Sequence, residues 1–213
     1  PGAINLPVLD DNERTEVGTL HKADAFGARK RGAALISSNV ATLLDGPLSD
    51  REGSFYPLIY CWRGGLRSQS LGITLSQIGF RVSVLDGGYR YYRHHVLEAL
   101  DALGSNFKLR MLAGLTGTAK TAILHRLQQR GEQILDLEGL ANHKGSLLGS
   151  PLNDTQPSQK SFESQLVHAL SQFDPERNVW VECESNKIGS IHTPKILFRA
   201  MKKFRSKIFD IFF

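Results

Sequence analysis

Between Pro57 and Tyr89 the sequence runs apolar segment, glycine-rich loop, helical pattern and second apolar segment within about thirty residues. That order and length belong to a βαβ unit of a parallel sheet, which few other arrangements accommodate. The first segment, Pro57-Leu58-Ile59-Tyr60, reads as a short buried strand. It runs directly into Cys61-Trp62-Arg63-Gly64-Gly65-Leu66-Arg67-Ser68. Leu71, Leu75 and Ile78 then recur at helical spacing, and Gly79 stands where a C-terminal cap belongs. Arg81-Val82-Ser83-Val84-Leu85 reads as the second strand, followed by Asp86-Gly87-Gly88-Tyr89 and a helix over 91–103.

A loop joining a strand to a helix turns its backbone N–H groups inward, where an anion or a thiolate is stabilised. Cys61 in such a loop is expected to have a lowered pKa and to act as a nucleophile. The inward N–H groups, with Arg63 and Arg67, would hold the anion that is transferred or attacks. A lone cysteine more commonly serves as a small buried hydrophobe. The Gly64-Gly65 pair, the flanking arginines and the helix start argue against that here. The Cys-x5-Arg spacing leaves two chemistries open, a persulfide-type transfer and a phosphatase that forms phosphocysteine.

A second unit opens after Gly104-Ser105-Asn106, so two α/β units are expected in tandem, 1–105 and 106–213. Phe107-Lys108-Leu109-Arg110-Met111-Leu112-Ala113 reads as a strand and runs into Gly114-Leu115-Thr116-Gly117-Thr118-Ala119-Lys120-Thr121. This resembles a Walker A loop. Gly114, Thr116 and Gly117 would lend backbone N–H groups to a phosphate, and Lys120 would reach it. Thr121 would offer its hydroxyl to Mg2+. Ala119 departs from the pattern, which has glycine before the lysine; if the position needs φ > 0, alanine costs about 1 kcal/mol or more.

Beyond the loop, Ile123, Leu124 and Leu127 mark a helical face ending at Gly131. Ile134-Leu135-Asp136-Leu137 and Val179-Trp180-Val181-Glu182-Cys183 read as further strands. Phe162, Leu166, Ala169, Leu170 and Phe173 make an amphipathic helix between them. Thr193-Pro194 reads as an N-cap followed by proline at the first helical position. Asp136 with Glu138, and Glu182 with Glu184, place paired carboxylates at strand ends, suited to Mg2+ or to a base. Asn142-His143-Lys144-Gly145-Ser146 is a polar loop able to meet phosphates. No second ligand at metal spacing accompanies His143, and no metal site is expected from His or Cys. Lys195, Arg199, Lys202, Lys203, Arg205 and Lys207 suit either an RNA backbone or a solvated helix face.

The chain of 213 residues has a net charge of +5, which leans toward a polyanionic partner without deciding it. Cys61 and Cys183 cannot make a disulfide framework, and no Cys-x-x-Cys is present. A reducing, cytoplasmic setting is expected. No apolar run approaches the roughly 20 residues of a membrane span, and no signal-peptide pattern is visible.

The ordered set of segments resembles the tRNA 2-selenouridine synthase family. It comprises the rhodanese-like Cys61–Ser68 loop, Asp86-Gly87-Gly88-Tyr89, the Walker A-like loop, Asp136–Ser146, Gln159–Glu163 and Val181–Gly189. Pro1–Pro7 is also similar to a rhodanese segment, and the resemblance spans about residues 1–200. It implies a rhodanese-like parallel-sheet domain followed by a P-loop NTPase-like α/β domain, both incomplete. The chain is expected to start after a strand carrying an Asp-Val-Arg type motif, and Phe204–Phe213 is unlike the family's continuing segment. The implied activity is replacement of sulfur by selenium in wobble 2-thiouridine of tRNA. Selenophosphate and geranyl diphosphate are the implied co-substrates, an S-geranylated species the intermediate, and no cofactor is tightly bound. Cys61 would carry or deliver selenium, while Lys120 and Thr121 would hold a substrate's phosphate or diphosphate. A sulfurtransferase, a Cys-dependent phosphatase and an inactive RNA- or phosphate-binding fragment are the competing readings.

Overall fold

The computed structural model describes residues 3–103, 106–115, 118–143, 155–182, 185–203 and 208–210, the last three by backbone alone. Thr116, Gly117, Lys144, Gly145, Ser146, Cys183, Glu184, Arg205 and Lys207 lie outside the described residues. The chain divides into two compact units, Pro1–Tyr92 and Arg93–Phe213.

The first unit begins with two helices that the sequence reading did not anticipate. Asp10 accepts a hydrogen bond from the Glu13 N–H, and Glu13 accepts one from the Asp10 N–H. This capping box starts α1, Asp11–Ala23. Asp24 stops α1 and caps α2, Ala25–Asp45, by accepting from Gly27 N at 2.8 Å. Gly32 faces Val17 of α1, where a Cβ would make an ordinary van der Waals contact at 3.4 Å. Only α2 has a buried face, and its Ile36, Val40 and Leu43 join Val8, Leu48, Leu71 and Leu75 in the unit's apolar core.

Strand β1, Leu58–Ile59, pairs in parallel with β2, Ser83–Val84, with Leu58 opposite Ser83. Helix α3, Leu66–Ile78, connects them and ends at Gly79, whose φ of 114° only glycine adopts easily. The expected βαβ unit is therefore present, with shorter strands than the apolar runs suggested. Leu71 and Leu75 are buried, but Ile78 is exposed because the helix turns it away at its last residue.

The loops after β1 and β2 are joined backbone to backbone. Tyr89 N donates to Cys61 O at 2.9 Å, and Arg90 N donates to Trp62 O at 3.0 Å. Gly64 and Gly88 have φ of 66° and 60°. They face each other so closely that a Cβ on Gly88 would lie 2.4 Å from Gly64 N and 2.2 Å from Cys61 O. Helix α4, Gly88–Leu103, starts at this contact.

In the second unit, β3 (Lys108–Ala113), β4 (Gln133–Leu135), β5 (Asn178–Glu182) and β8 (Ile208–Asp210) form one parallel sheet in the order β4-β5-β3-β8. Helix α5 is Lys120–Gln129, α6 Leu137–Leu140, α7 Gln159–Ser171 and α8 Lys195–Lys203. A short antiparallel pair, β6 (Lys187–Ile188) and β7 (Ile191–His192), precedes α8. Phe162, Leu166 and Leu170 of α7 pack with Val179, Val181, Leu109 and Met111 of the sheet. Burying such a side chain contributes about 1.5–3 kcal/mol.

The compact units divide at Tyr92–Arg93, with Val96 and Leu100 of α4 buried in the second unit's core and Arg93 paired there with Glu163. Two expectations are corrected. Leu137 is not in a strand; Asp136 accepts from Gly139 N at 2.7 Å and starts α6 instead. Pro194 precedes α8, with its carbonyl accepting from Phe198 N. The segment expected to diverge at the C-terminus includes β8, paired with Met111–Ala113 of β3.

Gly88→Ala should destabilise the first unit by about 2–4 kcal/mol, combining a left-handed alanine with overpacking. The check is a lower urea midpoint at unchanged slope, followed by Trp62 fluorescence against a Trp180→Phe background.

Candidate functional site

Cys61 stands at the end of β1 and beneath the first turn of α3, whose cap Gly65 has no side chain to occupy the helix N-terminus. The sulfur takes that place. Ser68 Oγ donates to Cys61 Sγ at 3.2 Å and shares its proton with Gly65 O at 3.1 Å. Partial burial pushes the thiol pKa up. The Ser68 hydroxyl and the backbone N–H groups of Ser68, Arg63 and Gly65 outweigh it, and the value falls to about 7. Half the cysteine is then thiolate near neutral pH. Arg63 acts on the sulfur through its backbone while its side chain is exposed, and Arg67 is half-buried.

Ser68 was missed in the sequence reading. Its position three residues after the cap Gly65 was the available signal, since a hydroxyl there reaches back over the helix start.

A cleft of about 1070 Å³ opens at this sulfur. Cys61, Trp62, Arg67 and Ser68 line one side, and Leu6, Val8, Leu48, Phe55 and Leu71 line the apolar remainder. Arg67 thus shares the cleft with the thiolate, as the Cys-x5-Arg spacing suggested.

In the second unit, the C-terminal ends of parallel strands gather the polar groups, where ligands of such sheets bind. After β3, Gly114 has φ of 154° and Thr118 turns back to Leu115, its N and Oγ1 both donating to Leu115 O. Lys120 opens α5, and its Nζ donates to Gly114 O at 2.9 Å and Leu115 O at 3.1 Å. Gly114, Lys120 and Thr121 therefore share one turn; Thr116 and Gly117 are not described. Ala119 caps α5 in the left-handed region at φ 57°, the conformation for which glycine is preferred.

Glu182, ending β5, is only 2% exposed. Burial raises its pKa, a hydrogen bond with Thr121 opposes this, and Glu138 and Asp136 add to the rise while Lys120 opposes it. Its Oε1 has no hydrogen-bond partner among the described residues. Asp136 also approaches His125, 3.0 Å from Nε2. The donors of Thr121 and Glu182 suit a hard cation such as Mg2+, which takes one or two protein oxygens and completes its shell with water and phosphate. No group of three His, Cys, Asp or Glu arranged for a metal occurs among the described residues.

Comparison with other proteins gives a consistent set of relatives. Residues 107–210 match the family described as tRNA 2-selenouridine synthase AAA domain. A protein of Shewanella denitrificans named tRNA 2-selenouridine synthase is 37% identical over 206 residues, covering 95% of this chain and 55% of its own. One of the same name from Nitrosomonas europaea is 34% identical over 207 residues, covering 95% and 53%. The chain thus spans about half the length of the curated relatives it matches. A solved N-terminal domain from Clostridium difficile 630, of a protein named for ATP/GTP binding, is 37% identical over 46% of this chain and 76% of that one, with a TM-score of 0.39.

Alkylation of Cys61 by iodoacetamide should rise with pH through an inflection near 7, read against a Cys61→Ser background. Ser68→Ala should move that inflection up by roughly one unit, about 1.4 kcal/mol of lost preference for the thiolate. Ala119→Gly should stabilise the second unit by about 0.5–1 kcal/mol, the relieved left-handed strain less glycine's chain entropy. Urea unfolding followed by Trp180 fluorescence in a Trp62→Phe background checks it.

Proposed function

We propose that the chain belongs to the tRNA 2-selenouridine synthase family, as its match over residues 107–210 and its identity to relatives of that name support. On that reading it takes part in replacing sulfur by selenium in wobble 2-thiouridine of tRNA. The first unit is read as a rhodanese-like module and the second as the P-loop module. The observation that carries this reading is Cys61 before the start of α3, its Sγ accepting from Ser68 Oγ at 3.2 Å beside the backbone N–H groups of Arg63, Gly65 and Ser68. Such a nest suits a chalcogen anion, and the same chain holds a separate turn suited to phosphate.

The chemistry divides between the two sites. In the first stage the thiouridine sulfur attacks the terminal carbon of geranyl diphosphate. A C–S bond forms, the C–O bond breaks, and diphosphate leaves. Gly114, Thr116, Gly117, Lys120 and Thr121 are the residues for that diphosphate, or for the phosphate of selenophosphate. Mg2+, when bound, would be held by Thr121 and Glu182 and would offset phosphate charge. In the second stage selenium adds at C2 of the base and geranylthiolate leaves. Selenium keeps its oxidation level from selenophosphate to selenouridine, so no external oxidant or reductant is needed. Cys61 delivers the selenium without an S–Se bond. Its thiolate attacks the phosphorus of selenophosphate, an S–P bond forms as the P–Se bond breaks, and selenide leaves toward C2. Water then hydrolyses the phosphocysteine, with Arg63 and Arg67 steadying the anion. No tightly bound cofactor is required. No described helix is long and apolar enough to cross a membrane, and tRNA in the cytoplasm is the proposed setting.

A phosphatase is the second reading, favoured by Cys61 and Arg67 lining one cleft. It leaves the phosphate turn of the second unit without a role.

In cells lacking the gene, the complete gene should restore 2-selenouridine, as read by nucleoside mass spectrometry of tRNA. Cys61→Ser should lower it on the order of 10³-fold or more, as loss of a catalytic nucleophile does. Undiminished selenouridine in that variant would remove Cys61 from the mechanism. Cys61-dependent turnover of an aryl phosphate would favour the phosphatase.

A further inference from the structure

Trp62 follows the nucleophile in sequence, lines the same cleft, and is 50% exposed. Its ring centre is 5.5 Å from that of Tyr89, with the planes 33° apart. Tyr89 in turn lies 6.1 Å from Tyr92, three residues along α4 and on the same helix face. None of the three belongs to the first unit's apolar core. A ring placed for packing alone would be buried, and leaving this much aromatic surface in water forgoes its transfer energy.

The row is held by main chain rather than by its own packing. Tyr89 N to Cys61 O and Arg90 N to Trp62 O tie the start of α4 to the nucleophile loop. The backbone that carries Trp62 and Tyr89 is therefore in place before anything binds, and a ligand need not supply the entropy of arranging it.

Charge along this stretch of chain is mostly positive, although Asp10 and Asp11 also line the cleft, beside Arg14. From Tyr60 to Tyr92 the chain carries four arginines, Arg63, Arg67, Arg81 and Arg90, and one acid, Asp86. Arg81 lies against Tyr56, its guanidinium 5.7 Å from the ring centre. Arg63 and Arg90 are exposed. Exposed ring surface on Trp62 and Tyr92, near arginines, matches an unpaired nucleotide, whose base stacks while its phosphates meet the cations. A hydrocarbon chain would use the rings and gain nothing from the arginines. A duplex would use the arginines and offer no free base face to the rings.

We propose that Trp62, backed by Tyr89 and Tyr92, is the platform on which an unpaired base of an RNA loop stacks to reach Cys61. This rests on the tRNA-modifying reading above. Trp62 is a positioning residue here: it sets where the base lies and leaves the sulfur chemistry to Cys61.

The test is binding of the full chain to a labelled RNA stem-loop carrying 2-thiouridine in its loop, with a duplex of equal charge as comparison. Trp62→Ala should weaken stem-loop binding about 10-fold and leave duplex binding unchanged. Trp62→Phe should recover most of the loss, and Tyr92→Ala, on the surface, should cost severalfold. The stem-loop should quench the fluorescence that distinguishes wild type from Trp62→Phe. Retention of the Cys61 alkylation profile in Trp62→Ala shows that the loop still folds. Unchanged stem-loop affinity in Trp62→Ala and Tyr92→Ala overturns the platform and leaves the tRNA-modifying reading standing. Equal losses on stem-loop and duplex, or quenching by geranyl diphosphate and not by RNA, also overturn it. If the wild-type chain binds neither RNA, the platform falls together with the reading beneath it.

Discussion

The first unit's site depends on a contact between two pieces of backbone. The loop after β1 meets the start of α4 through Tyr89 N to Cys61 O and Arg90 N to Trp62 O, with Gly64 and Gly88 face to face. No side chain intervenes, so the separation is set by covalent geometry and two hydrogen bonds. That contact fixes the carbonyl side of residues 61 and 62. Their N–H neighbours at Arg63, Gly65 and Ser68 are then free to turn toward the sulfur. The lowered thiol pKa follows chiefly from Ser68, through its hydroxyl and its N–H, with the N–H groups of Arg63 and Gly65 adding to it.

The second unit brings the Lys120 turn together by a different route. Its strands are parallel, so the residues following β3, β4 and β5 emerge on the same edge. Lys120, Asp136 and Glu182 come from sequence positions far apart and influence one another there. Four strands and one core of α7 against the sheet suffice to place them.

Much of this could be read from the residues because the signals were local. The βαβ order around Cys61, the turn before Lys120 and the apolar spacing from Phe162 to Leu170 each sit within one short window. What escaped the reading has physical reasons. Helix α1 buries no residue at all, and the buried stripe of α2 begins with the small residues Ala28 and Gly32 before reaching Ile36, Val40 and Leu43. Their real marker was polar, the Asp10–Glu13 capping box and the Asp24 cap. Leu137 continued an apolar run, but one carboxylate hydrogen bond from Asp136 turned the backbone into α6. Glycine marks the far end of helix α4, whose buried Val96 and Leu100 answer to a core built from residues much later in the chain. Ala119 was legible as a question and its answer needed coordinates: the left-handed φ of 57° shows that the position does demand what glycine provides.

The Lys120 ammonium is occupied in the resting turn, donating to the carbonyls of Gly114 and Leu115. Two of the ammonium's three N–H donors are thereby taken, so an anion would first compete for the third and would have to replace the carbonyls to gain the rest. A singly charged anion would return little for that exchange, while a diphosphate would bring several oxygens and more charge. The turn carries its own internal rival for the lysine.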